Sequence, residues 1–214
     1  MNRSIFFLLT LTLGFIAANV TANTSITDVE NAASPALKFQ TKISWPKNKR
    51  AAIILTYDDA LQSQLNIAVP QLNSAKLKGT FFLKAEGMTF KDMLLWRKAS
   101  KAGHELGNHT LFHPCPNAML PNREHYATER YTPQTMMNEI AVMNDLLFGI
   151  DGKEVRTMSY PCSQTTVGGI DYLETLRQSG LIQYARTGGD PYTSVVSDFG
   201  KLDLYSVPSN GPVN

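Results

Sequence analysis

The chain has 214 residues, 43% of them hydrophobic and 18% charged, and 20 Lys and Arg against 18 Asp and Glu leave a formal net charge of +2. This composition can build a core, which excludes a disordered chain, and the length fits one domain with a short extension. Near-neutral charge without long like-charge runs excludes the footprint of a nucleic-acid binder, and two cysteines are too few for a disulfide-framework miniprotein.

Residues 1–22 read as a secretory signal peptide. Arg3 is followed by an uncharged, largely apolar stretch from Ile5 to Ala18, and Val20-Thr21-Ala22 makes a cleavage site after Ala22. An uncleaved anchor is the alternative, but the apolar run falls short of the ~20 residues that a spanning helix needs. The expectation is a secreted or periplasmic protein without stable membrane insertion, in a compartment where Cys115 and Cys162 can oxidise. Residues 23–50 form a polar N-terminal extension that ends in Pro46 and a basic turn with Lys47, Lys49 and Arg50.

From Ala51 the elements alternate. Ala51 to Tyr57 is a continuous apolar run with the look of a strand buried on both faces. Leu61 to Lys76 is helix-like, with Pro70 kinking it or marking its true start. Thr80 to Leu83 is a second strand, Phe90 to Ala102 a helix stopped by Gly103, and His104 to Asn108 a third strand. Pro133 opens a helix in which Met136, Ile140, Met143 and Leu147 recur at helical spacing until Gly149. Arg156 to Tyr160 is a fourth strand, Ile170 to Gln178 a helix closed by Gly180, Leu181 to Arg186 a fifth strand and Leu204 to Val207 a sixth. Alternation of this kind predicts an α/β fold with parallel strands, either an open doubly wound sheet or a barrel. No Gly-x-Gly-x-x-Gly follows the first strand, which disfavours dinucleotide binding, and in both folds function sits at the carboxyl ends of the strands.

Two segments there carry chemistry. Thr56-Tyr57-Asp58-Asp59-Ala60 closes the first strand with adjacent acids, which can reach one site only where the backbone turns. Alone, the pair also reads as a solvated helix cap. His109-Thr110-Leu111-Phe112-His113-Pro114 places two imidazoles four residues apart, a spacing that suits a divalent metal and is also common on surfaces. His104-Glu105 does not begin a zincin signature, because the next histidine, His109, is one residue too late. Taken together, two imidazoles and a carboxylate make a common catalytic zinc set, and a second carboxylate can serve as base.

On these residues the chain resembles the NodB-type polysaccharide deacetylases (carbohydrate esterase family four). The family's T-F-D-D-G is similar to residues 56–60, its H-[ST]-x-x-H-P matches residues 109–114 in full, and the resemblance covers residues 51–214. It implies an irregular (β/α) barrel, a divalent cation (zinc foremost) held by Asp59, His109 and His113, and Asp58 as catalytic base. The implied substrate is an acetylated glycan, with a metal-dependent hydrolase removing acetyl groups from an N-acetylated polysaccharide or oligosaccharide. An O-acetyl polysaccharide esterase and a catalytically silent carbohydrate-binding relative are the alternatives. The third family motif, R-x-P-[YFW], has its best counterpart in Ser159-Tyr160-Pro161-Cys162, matched only at Pro161. A backbone N–H at Cys162 can still serve the developing oxyanion, whereas the arginine that orients the base is replaced by Ser159. Arg156 and Arg186 are the candidate substitutes, although both also read as ordinary surface residues. The late L-x-H histidine has no counterpart, since none follows His125. The resemblance therefore implies a domain lacking its last strand and helix, able to bind metal but turning over poorly. It also implies that the loops bearing Cys115 and Cys162 converge on the site, joined there by a disulfide or carrying two free, buried thiols.

Overall fold

The computed structural model describes Lys47, Lys49 and residues 51–189, 194, 196 and 198–210; the expected signal peptide and nearly all of the expected N-terminal extension lie outside them. Among the described residues, five parallel strands form the main sheet: β1 (Thr56–Asp58), β2 (Thr80–Leu83), β3 (Glu105–Asn108), β4 (Thr157–Ser159) and β7 (Tyr184–Arg186). Between β4 and β7, a two-stranded hairpin pairs β5 (Thr166–Val167) with β6 (Ile170–Asp171). The helices are α1 (Val69–Ser74), α2 (Phe90–Lys101), α3 (Pro133–Asp151) and α4 (Leu173–Ser179).

Sheet order β1-β2-β3-β4-β7 runs in one direction without reversal. Right-handed crossovers then place the connecting helices on one side, which favours a barrel over a doubly wound sheet. Curvature follows from one contact. In a flat sheet, four interstrand spacings would hold β1 and β7 roughly 19 Å apart, yet the carboxylate of Asp58 touches the guanidinium of Arg186. The strands curl into a half-barrel with their carboxyl ends gathered at one mouth.

Side-chain alternation divides the strands between two environments. Phe81, Leu83, Leu106, Met158 and Ala185 are buried toward the helices. There α3 joins two apolar clusters, with Met136 and Ile140 in one and Met143 and Leu147 in the other; all four are at most 1% exposed, as their helical spacing predicts.

Several boundaries differ from the sequence expectation. The first strand is short, because β2 pairs with it only from Thr80, and it lies at an edge of the described sheet; among the described residues nothing covers Ile53 and Ile54, which are 86% and 79% exposed. The expected first helix runs without a break from Gln62 to Ser74, with a π-helical stretch over Gln64–Ala68 just ahead of Pro70, which sits at the second position of α1 where its missing N–H is tolerated. Gly149 does not end α3, which continues to bury Ile150 and is capped by Gly152 at φ 72. Arg97 from α2 reinforces that end by donating to the carbonyls of Gly149 and Ile150. Ile170 belongs to the hairpin rather than to α4, since Gly168 and Gly169 (φ 54 and 80) turn the chain back there. Leu204 to Val207 runs parallel beside β7, exchanging backbone hydrogen bonds with Ala185 and Thr187 around a bridge between Arg186 and Val207, a shorter pairing than the expected sixth strand. Arg156 is no surface residue: it is 2% exposed and pairs with Asp151 at 2.7 Å.

His104 is 0% exposed; its Nδ1 accepts the Gly79 N–H at 3.2 Å and its Nε2 faces Asn73 Oδ1. Burial, with Lys78 second, lowers its pKa below 6.5. A depressed folded-state pKa favours the neutral ring, so this contribution to stability is complete above the unfolded value and is lost as pH falls through the folded one. Urea midpoints should therefore drop on acidification from pH 7.5 to 5.5, less steeply in a His104→Gln variant. Equal drops would remove His104 as a source of acid sensitivity.

Candidate metal centre and active-site cleft

At the end of β1 the backbone enters the left-handed region, with Asp59 at φ 78 and Ala60 at φ 56. This turn brings adjacent acids to one site: Asp58 Oδ2 lies 4.0 Å and Asp59 Oδ1 3.9 Å from His109 Nε2. His113 Nε2 is 3.5 Å from the same Asp59 oxygen. Lys84, just past β2, holds the outer side with Nζ 3.9 Å from Asp59 Oδ1 and 3.6 Å from Glu86 Oε2.

The loop after β3 is shaped to present both imidazoles. Thr110 and His113 adopt φ 64 and 52, stabilised where Thr110 N donates to Asn108 Oδ1 and His113 N to Thr110 Oγ1. His109 Nδ1 lies 2.6 Å from the Ser159 carbonyl, which can only accept, so the hydrogen is on Nδ1 and Nε2 keeps its lone pair. His113 Nδ1 lies 3.4 Å from Cys115 Sγ. That sulfur is bonded to Cys162 and has no hydrogen to give, so His113 adopts the same tautomer. Burial pushes His109 down from its ordinary value, and burial with neighbouring His109 pushes His113 down to about 4. Both rings are thus neutral at physiological pH, as metal ligation requires.

This donor set fits a divalent cation. Tetrahedral bonds of about 2.0–2.2 Å place ligand atoms roughly 3.3–3.6 Å apart, and Asp59, His109 and His113 offer atoms all within 4.8 Å of one another. A second group, His113, Cys115 and Cys162, is equally close, but its sulfurs form the disulfide and offer no thiolate.

Of the two alternatives for the cysteines, the structure has the disulfide, with Cα atoms 5.8 Å apart. It ties the loop after β3 to the loop after β4, where Cys162 takes φ 50 and lines the cleft. In the chain-entropy account, closing this 47-residue separation contributes about 4 kcal/mol.

The cleft encloses about 500 Å³ between the acids and histidines on one side and Ser163, Gly188 and Ser209 on the other. Asp58 is held from both oxygens: Arg186 Nη2 pairs with Oδ1, and Ser159 Oγ donates to Oδ2 at 3.1 Å. The guanidinium of Arg186 also lies 4.9 Å over the Phe82 ring. That ring reaches its place because residue 107 is glycine; a Cβ there would come within 2.4 Å of Phe82. Arg186, supplied from β7, thus contacts Asp58 from a strand other than the one that carries Ser159. Its placement at the carboxyl end of an expected parallel strand was the signal available in the sequence.

The family model described as polysaccharide deacetylase matches residues 46–179. Peptidoglycan-N-acetylglucosamine deacetylase of Bacillus cereus is 30% identical over 105 residues, which make up 49% of this chain and 37% of that protein. The solved structure of Streptococcus pyogenes deacetylase PplD in complex with acetate has a TM-score of 0.55 at 18% identity, covering 76% of this chain and 65% of that one. At this identity the structural likeness establishes the fold, the irregular (β/α) barrel expected above.

Proposed function

This chain belongs to the polysaccharide deacetylase family, and from that premise we propose that it is a metal-dependent hydrolase removing acetyl groups from an N-acetylated glycan. One observation carries the reading: Asp59 and the paired histidines converge on one point, with a second carboxylate, Asp58, within 4.0 Å of the same imidazole. The B. cereus relative, named for a peptidoglycan N-acetylglucosamine substrate, supports N-acetylglucosamine residues as the target.

Asp59, His109 and His113 would hold the cation, zinc foremost. When bound, it supplies Lewis-acid polarisation of the acetyl carbonyl and a lowered pKa for water. Asp58, its carboxylate oriented by Arg186 and Ser159, takes the proton of the attacking water and returns it to the glycan nitrogen as the C–N bond breaks and acetate leaves. The charge developing on the carbonyl oxygen is met by the backbone N–H of Cys162, which the disulfide holds in the cleft wall.

Export of the protein to a secreted or periplasmic location, with residues 1–22 removed and residues 23–50 leading into the catalytic domain, completes the proposal. The disulfide supports an oxidising compartment. Among the described residues, no helix is long and apolar enough to cross a membrane.

Acetate release from N-acetylglucosamine oligomers, with and without a chelator, tests the reading. Chelator-sensitive release is the expected result. Release from acetylated xylan alone would identify an O-acetyl esterase, and glycan binding without release a silent relative.

A further inference from the structure

Glu139 is 6% exposed on α3, and the deacetylation steps give it no task. Its Oε2 accepts the backbone N–H groups of both Leu111 and Phe112, each at 3.1 Å. Its Oε1 accepts the phenol hydrogen of Tyr131. Burial, together with that bond, pushes the Tyr131 phenol far above its ordinary range, so it remains a donor.

Leu111 and Phe112 are two of the three residues between the paired histidines. Thr110 and His113 on either side of them hold left-handed backbone conformations that side-chain-bearing residues rarely adopt. Each N–H from Thr110 to His113 is accepted by a side chain: Asn108 for Thr110, Glu139 for Leu111 and Phe112, and Thr110 for His113. Of these acceptors, only Glu139 comes from outside the strand and loop. Its helix is anchored by Met136, Ile140 and Met143, all at most 1% exposed, so it offers a fixed reference to which the loop is tied. An ionised carboxylate suits this position because it only accepts, and its charged bonds are roughly twice as strong as neutral ones.

We propose that Glu139 is a positioning residue for the metal centre: by gripping the Leu111 and Phe112 amides, it holds the loop that aims His109 Nε2 and His113 Nε2 at Asp59. The proposal rests on the deacetylase reading of the same site and concerns affinity for the ion, not chemistry on the glycan.

The test is titration of the metal-free full chain with Co2+, followed by visible absorption, and with Zn2+ by calorimetry, alongside the melting temperature of each metal-free protein. Glu139→Gln should weaken metal binding about tenfold, the lower end of the range for partners that orient metal ligands. Tyr131→Phe leaves Oε2 and both of its amide donors in place, so it should bind as wild type does. A folded Glu139→Gln protein with wild-type affinity would overturn the proposal whatever its melting temperature, because a purely structural role lowers stability without changing the affinity of folded molecules. Should that variant not fold, Glu139→Asp, which keeps the charge but is one methylene shorter, carries the same test: weaker binding supports the grip and unchanged affinity overturns it. Failure of the wild type itself to bind metal would remove the deacetylase reading beneath the proposal, a result distinct from failure of Glu139 alone.

Discussion

Asp58→Asn should leave metal uptake intact and lower acetate release by about 10²–10⁴-fold, the usual contribution of a positioned acid or base. The amide keeps the size of the carboxylate and can still face Arg186 and Ser159, so the cleft is preserved, but it cannot accept a proton. Metal content should not move, because Asp59 and the two histidines are unchanged and Asp58 Oδ2 stands 4.0 Å from His109 Nε2. Arg186→Met should follow in the same direction by a smaller factor, roughly 10–100-fold, the worth of a hydrogen bond to a charged group. Measuring kcat alongside bound metal checks both variants. An undiminished rate in Asp58→Asn would strip that residue of the base role.

Asp59→Ala should abolish metal uptake and, with it, chelator-sensitive acetate release. Partners that merely orient metal ligands are worth about 10–100-fold in affinity; loss of the only carboxylate in a three-ligand set exceeds that. Asp59 sits at φ 78, and alanine in this region adds about 1–2 kcal/mol of strain. Asp59→Asn, whose residue tolerates the left-handed conformation, separates lost ligation from a disturbed turn. Metal content measured by atomic emission on both variants is the check, and a full complement of metal in Asp59→Ala would take Asp59 out of the ligand set.

The parts of the site carried by contiguous residues were legible in the sequence. Asp58 and Asp59 close one strand, His109 and His113 share one loop, and each pair needs only a local turn to converge. The partners of those residues were not legible, because the curl of the sheet creates them. Arg186 lies 128 residues from Asp58, and only the approach of β7 to β1 makes it that carboxylate's counter-charge. Ser159 read as a lost arginine, yet its hydroxyl and its carbonyl hold Asp58 and His109 respectively. Glu139 was hidden in a helix recognised for its apolar stripe, and its contact with the loop spans 28 residues to Leu111. Boundary errors have a similar origin. The apolar run from Ala51 implied burial that a strand at the edge of the described sheet, paired there on one side only, does not provide, whereas the wholly buried β2 was found at its observed limits. Gly149 looked like a stop, but a helix whose next residue is Ile150, 3% exposed, continues until a left-handed cap is available at Gly152.

Anomalous scattering from a crystal of the full chain grown with zinc would locate the ion itself. One peak is expected at about 2.0–2.2 Å from His109 Nε2, His113 Nε2 and an Asp59 oxygen, with Asp58 beside it and still paired with Arg186. Those three side chains turned away from one another, with no peak between them, would contradict that ligand set.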